Sequence, residues 1–292
     1  MPAWKHWDSH LHIHPFKPEW WVDKLILQMD RNGVEVGALG GSALFTPEED
    51  DHVQDAVRRY PGRFLPTLCH VDFNLPSELA RVTSELDSGR WAGVGEVFLE
   101  TFRATHLSFE KQGVPMRMPY PIPRDGAGNA VLGGLIDHCT ELGMPVLIHC
   151  EMASALEDLL RRHPRSTIVW AHCDYATPPL DARRVMEQFP WLHADFGPMI
   201  RCGYWDTQHG SSNWIGEWRD FWRGMCRDFA DRMLLGTDTI MEKYLDNARY
   251  RHIYESFEDF MAPLPREAVE AIVGGNLRRL CRGYIERHLR RS

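Results

Sequence analysis

Residues 7–15 read Trp-Asp-Ser-His-Leu-His-Ile-His-Pro, three histidines at alternate positions before a proline ends the run. The segment predicts a strand over 7–12. Side chains of a strand alternate between faces, so His10 and His12 aim together and can share one metal ion. The same alternation puts Asp8 on that face one step deeper, where it would orient a ligand histidine from outside. His14, just before Pro15, falls in the following loop. In a chain with 15 histidines, a His-x-His pair alone is weak evidence.

Working outward, seven more short apolar runs follow: 34–40, 64–71, 92–98, 145–149, 167–172, 191–196 and 233–238. Each is rich in Val, Ile, Leu or Phe, as strands covered on both sides of a parallel sheet require. Helical segments separate them, at 19–32, 47–60, 75–88, 130–143, 153–163, 179–189 and 216–230, with 242–261 and 265–290 ending the chain. Thr46-Pro47-Glu48-Glu49 has the composition of a helix start. Strand-then-helix alternation implies right-handed parallel crossovers, and eight of them in 292 residues predict one closed (β/α)8 TIM barrel spanning 1–292. Two connections, 99–128 and 197–215, are too long for simple crossovers. Both follow strands, on the face where barrels carry their active sites.

The ends of the strands carry the chemistry. His10 and His12 close the first, Glu96 falls at the end of the fourth, and His149 and His172 end the fifth and sixth. Asp238 ends the eighth. A carboxylate within the apolar run Gly-Val-Gly-Glu-Val-Phe is costly to bury unless it is paired or metal-bound. Barrel topology brings all six residues to one mouth, and their mixed nitrogen and oxygen donors suit a divalent ion. Zinc is the first choice, with manganese, cobalt, nickel or iron able to substitute.

The segments DSHLHIHP, MPVLIHC, IVWAHCD, RMLLGTDT and GGNLRRL, in that order, resemble the amidohydrolase superfamily over essentially the whole chain. They are most like the branch that includes aminocarboxymuconate-semialdehyde decarboxylase. Residues 95–100, GEVFLE, depart from that branch and are similar to the fourth strand of TatD-type hydrolases, whose glutamate bridges two metals. The TatD-like pattern implies His10, His12, Glu96 and Asp238 on one ion, and Glu96, His149 and His172 on the second. The decarboxylase pattern implies one ion on His10, His12, His149 and Asp238, with His172 as an acid/base or polarising residue.

The expected activity is hydrolysis of a small amide, lactone, ester or phosphoester. Metal lowers the pKa of a bound water towards ~7 to supply hydroxide, and Asp238 serves as base and then acid. Non-oxidative decarboxylation of a small carboxylic acid is the alternative, and a non-catalytic ligand-binding barrel is a third. His70, Arg103, Tyr120 and Arg201 are candidate substrate contacts; Asp195, His106 and Tyr204 also fall near the mouth or in the long loops. Trp205, Trp214, Trp218 and Trp222 suggest an aromatic wall or helix packing, with packing favoured.

A net charge of -8 argues against a nucleic-acid coat or an anionic-membrane binder. The C-terminal arginines from Arg278 to Arg291 read as a solvated helix face. Seven cysteines with no Cys-x-x-Cys pair suggest reduced thiols. No run of ~18 apolar residues is present to span a bilayer. The first dozen residues lack an apolar signal core, so cytoplasm is the expected location. Self-association is open.

Overall fold

The computed structural model describes residues 4–14, 16–41, 48–100, 122–173, 179–196, 219–240 and 242–289. Its strands are β1 His6–His12, β2 Val34–Gly40, β3 Phe64–Leu68, β4 Gly93–Glu100, β5 Val146–Cys150, β6 Ile168–Ala171, β7 His193–Asp195 and β8 Met233–Leu234. They form one eight-stranded sheet in sequence order, each parallel to the next. Past β8 the chain runs beside β1: Leu11 bridges Thr239 in parallel, and Ser9 N donates to Leu235 O at 2.7 Å. The sheet thereby closes on itself.

Among the described residues one α-helix follows each strand in turn: α1 Pro18–Arg31, α2 Glu49–Arg59, α3 Glu78–Asp87, α4 Ala130–Leu142, α5 Ala153–Arg162, α6 Pro179–Gln188, α7 Arg219–Asp228 and α8 Asn247–Met261. The C-terminal helices α9 Arg266–Glu270, α10 Asn276–Leu280 and α11 Arg282–His288 come after. Local chemistry sets several ends. The Asn129 side chain accepts from Val131 N and Leu132 N to start α4, and Gly143 stops it in the left-handed region at φ +66°. Asp246 caps α8 in the same way. The expected helix start at Thr46 and Pro47 lies outside the described residues; α2 is described from Glu49.

Two apolar layers result. Leu11, Ile13, Trp21, Leu25, Trp170, Trp222 and Phe257 belong to the layer between sheet and helices. Trp7, Val36, Ala38, Leu65, Val169 and Leu234 belong to a second cluster shared with Leu277, Cys281 and Tyr284 of the C-terminal helices, which plug one end of the barrel. Asn276 ties that plug to β8, its Nδ2 donating to Met233 O at 2.7 Å and Ala230 O at 2.8 Å. Trp222 is fully buried, in agreement with the packing role read from sequence.

The simple alternation expected for β1 does not hold. Its pairing with β2 shifts register between Asp8 and Leu11, and Trp7 packs in the inner cluster while Leu11 packs in the outer one. A bulge of this kind re-phases a strand beside an active site. It turns His10 and His12 to the barrel mouth and sends Asp8 elsewhere, correcting the expectation that all three share a face.

Of the two long loops, residues 101–121 and 197–218 lie outside the described residues, and so do Arg103, His106, Tyr120, Arg201, Tyr204, Trp205, Trp214 and Trp218. Six cysteines, among them Cys69, Cys150 and Cys173, are buried and free of disulfides; Cys202 is outside the described set. Among the described residues no helix is long and apolar enough to cross a membrane.

His193 on β7 supplies a stability prediction. Burial, then the neighbouring Arg279, pushes its pKa down to about 4. The unfolded chain, with a histidine pKa near 6.5, therefore binds more protons between those values. The neutral ring contributes stability above pH ~6.5 that is lost as pH falls through ~4, on the order of 1–3 kcal/mol for a partly exposed side chain. Urea melts of wild type and His193→Gln at pH 7.5 and 4.5 should show the wild type losing more stability on acidification. Equal losses would contradict this account.

Candidate metal centre

His10 and His12 leave β1 with their Nε2 atoms 2.9 Å apart, and His12 Nε2 lies 3.1 Å from Asp238 Oδ1. Glu96 stands opposite with its two oxygens divided. Oε2 is 3.6 Å from both His10 Nε2 and His12 Nε2. Oε1 is 2.9 Å from His149 Nδ1 and 2.9 Å from His172 Nε2. Two groups of three have ligand atoms mutually within 4.8 Å: His10, Glu96 and His172, and His10, His12 and Asp238. His149 reaches Glu96 without joining either group.

Backbone form aims these side chains. Glu96 is inside β4, not at its end, where the pairing with β5 shifts register between Val94 and Val97. Gly95 before it has φ +129°, and a Cβ there would fall 2.5 Å from Leu147 O, so only glycine fits. His172 and Asp238 both adopt left-handed conformations, at φ +55° and +46°. Such backbone is disfavoured for residues with a Cβ and persists where its surroundings enforce it.

Further carboxylates supply that enforcement. Asp195, fully buried at the end of β7, accepts from His10 Nδ1 at 2.9 Å through Oδ2 and from His172 N at 3.1 Å through Oδ1. It therefore fixes which nitrogen of His10 faces the centre and holds the His172 turn. The orienting role expected of Asp8 thus belongs to Asp195, a residue expected only near the mouth. Asp8 instead accepts from the backbone of His10 and from Thr237 and Tyr254. Glu151, two residues beyond His149, faces its Nε2 at 3.4 Å. His12 Nδ1 is tied to Gly41 O at 3.0 Å.

Charge and burial compete throughout the cluster. Burial works against ionised Glu96, yet the rings of His172 and His10 beside it hold its carboxyl well below the usual range. Burial likewise disfavours charge on His10, but Asp195 and Glu96 raise its pKa well above normal. For His149 the outcome is about 9, burial being overcome by Glu151 and Glu96. His172 goes the other way, lowered chiefly by burial. Four imidazoles and two carboxylates packed this closely are costly to bury unless their charges are offset, which a bound cation would do as it displaced the ring protons.

The donor set fits a metal. Ligands at ~2.0–2.1 Å from a tetrahedral ion stand ~3.3 Å from one another, and the contacts among His10, His12, Glu96 and Asp238 run from 2.9 to 3.9 Å. Of the candidate substrate contacts, only His70 is described. It is buried just past β3, its backbone N donating to Asp50 at 3.1 Å, and its Cε1 would meet a Cβ on Gly41 at 3.0 Å. His70 thus borders the loop that holds His12.

A family model described as amidohydrolase matches residues 7–282. The chain belongs to the amidohydrolase family. It is an enzyme, a metal-dependent hydrolase by family. No curated protein sequence matches this amidohydrolase. Among solved structures, an amidohydrolase from Burkholderia multivorans with bound zinc is 13% identical, with a TM-score of 0.64 over 95% of this chain and 99% of that one. A probable 2-pyrone-4,6-dicarboxylic acid hydrolase from Acinetobacter baumannii, with citric acid bound, is 12% identical, with a TM-score of 0.61 over 95% and 99%. The 2,6-dihydroxybenzoate decarboxylase from Rhizobium is 13% identical, with a TM-score of 0.62 over 95% and 98%. At these identities the likeness establishes the barrel fold.

Proposed function

We propose that this amidohydrolase uses two divalent ions to hydrolyse a small amide, lactone, ester or phosphoester. One ion would take His10, His12, Glu96 and Asp238; the other would take Glu96, His149 and His172. The observation behind this reading is Glu96, whose two oxygens face different histidine pairs. When bound, the ions supply Lewis acidity and make water a nucleophile at neutral pH. Asp238, the most exposed of the six at 13% of its side chain, takes the proton of the attacking water and returns it to the leaving group. Its Oδ1 sits 3.1 Å from His12 Nε2. Asp195 keeps His10 in one tautomer, and Glu151 keeps the His149 proton on Nε2, freeing Nδ1.

Zinc is the favoured ion for mixed nitrogen and oxygen donors. His70, Arg103, Tyr120 and Arg201 are our candidates for substrate contact, the arginines suiting a carboxylate or phosphate. The six disulfide-free cysteines favour a cytoplasmic setting. Decarboxylation is the second reading. The compact group His10, His12 and Asp238 favours it, since that group forms most of a one-ion site without Glu96 and leaves His172 to handle a proton.

Reconstitution separates the two readings. Metal-stripped protein should be inactive and should regain turnover on a panel of lactones, esters, amides and phosphoesters as zinc or manganese rises to about two ions per chain. Saturation at one ion, with carbon dioxide released from a carboxylic acid substrate, would replace hydrolysis by decarboxylation.

A further inference from the structure

Asp8 is fully buried, and its carboxylate accepts four hydrogen bonds. Oδ1 accepts from His10 N at 3.0 Å and Thr237 N at 3.1 Å; Oδ2 accepts from Thr237 Oγ1 at 2.7 Å and Tyr254 OH at 2.7 Å. Because the Thr237 hydroxyl donates to Asp8, it can only accept from the Thr239 hydroxyl, 2.9 Å away. Asp238 lies between these two threonines. Its backbone N donates to His10 O at 2.8 Å, and its φ of +46° is one that a free chain avoids.

One carboxylate therefore clasps both sides of the seam where the barrel closes. On one side it holds the backbone of His10; on the other it holds the turn that presents Asp238. Tyr254 adds the outer anchor, reaching in from α8. A carboxylate buried this completely depends on its donors, so each of the four matters to keeping the group in place.

We infer that Thr237 and Tyr254, acting through Asp8, are positioning residues that keep the Asp238 carboxylate where an ion can be bound. This rests on the reading of Asp238 as a metal ligand given above. Without the clasp the turn is free to leave its left-handed form, and the Asp238 oxygen moves off its 3.1 Å approach to His12 Nε2.

The test uses zinc itself, titrated into metal-stripped full-length protein against a chromophoric chelator, so no substrate is needed. Thr237→Val keeps the shape of the side chain and removes the hydroxyl; Thr237→Ser keeps the hydroxyl. Thr237→Val should weaken the binding of one ion by roughly 10–100-fold, as loss of an outer hydrogen-bond partner does. Tyr254→Phe should weaken it by about 3–10-fold, and Thr237→Ser by less than about threefold. A purely structural role would lower Tm and leave zinc affinity alone. Wild-type zinc affinity in both Thr237→Val and Tyr254→Phe would overturn the inference, as would equal weakening by Thr237→Ser and Thr237→Val. If Asp238→Asn binds zinc as the wild type does, the ligand reading of Asp238 itself fails, and that result is separate from the other two.

Discussion

On the two-ion reading proposed above, Glu96→Gln is expected to bind one zinc ion and the wild type two, with a loss of at least ~10³-fold in turnover. The reason is the division of labour between its oxygens. Oε1 serves His149 and His172, and Oε2 serves His10 and His12. A glutamine keeps the shape but has one acceptor; its NH2 group cannot ligate and would point donors at imidazole lone pairs. On the same reading it would also remove the negative charge that two dications would share, where the low dielectric of a buried site magnifies repulsion. Metal analysis by mass spectrometry after exhaustive dialysis checks the stoichiometry, and turnover on the responsive panel substrate checks the activity. Two ions in the variant, or one ion in both proteins with turnover intact, would remove Glu96 from the mechanism.

The barrel itself was legible because its signal is periodic. Short apolar runs and longer amphipathic ones alternate along the chain, and the observed strands begin or end within a few residues of those runs. Glu96 was legible for a different reason: a carboxylate inside Val-Gly-Glu-Val has no cheap structural explanation. Asp8 was misplaced because the sequence does not mark the bulge between Asp8 and Leu11, and one slipped residue reverses a face. The role of Asp195 was hidden by distance, since its partner His10 lies 185 positions away and a local pattern carries no such pairing. Tyr254 does carry a signal in the sequence. Tyr250, Tyr254 and Glu258 stand four apart on α8, one face of the helix, and Glu258 meets buried His6 at 3.1 Å while Tyr254 meets Asp8. Polar tips on the inward face of a barrel helix point to buried acceptors in the strands.

Asp195→Asn is expected to weaken zinc binding by roughly 10–100-fold, in contrast to its small change in volume. The carboxylate accepts two hydrogen bonds from opposite sides, His10 Nδ1–H and His172 N–H. An asparagine has one carbonyl and one NH2 at those positions, so one donor must face another donor unless His10 changes tautomer. If the NH2 turns to His10, it forces the ring proton onto Nε2, the nitrogen that faces His12, Glu96 and Asp238, and that nitrogen can no longer bind an ion. If it turns to His172 N, it opposes the N–H that holds the left-handed turn at φ +55°, and the ring stacked 4.9 Å from His10 shifts. Loss of the charge adds to either outcome, because Asp195 raises the basicity of His10 more than Glu96 does. Asp195→Ala leaves both donors buried without a partner, at about 1–3 kcal/mol each, and should lower Tm as well as zinc affinity. Chelator competition on the two variants, with Tm measured alongside, separates tautomer control from packing: Asn should lose zinc affinity with little change in Tm, and Ala should lose both. Wild-type zinc affinity in Asp195→Asn would mean that His10 chooses its tautomer without help from β7.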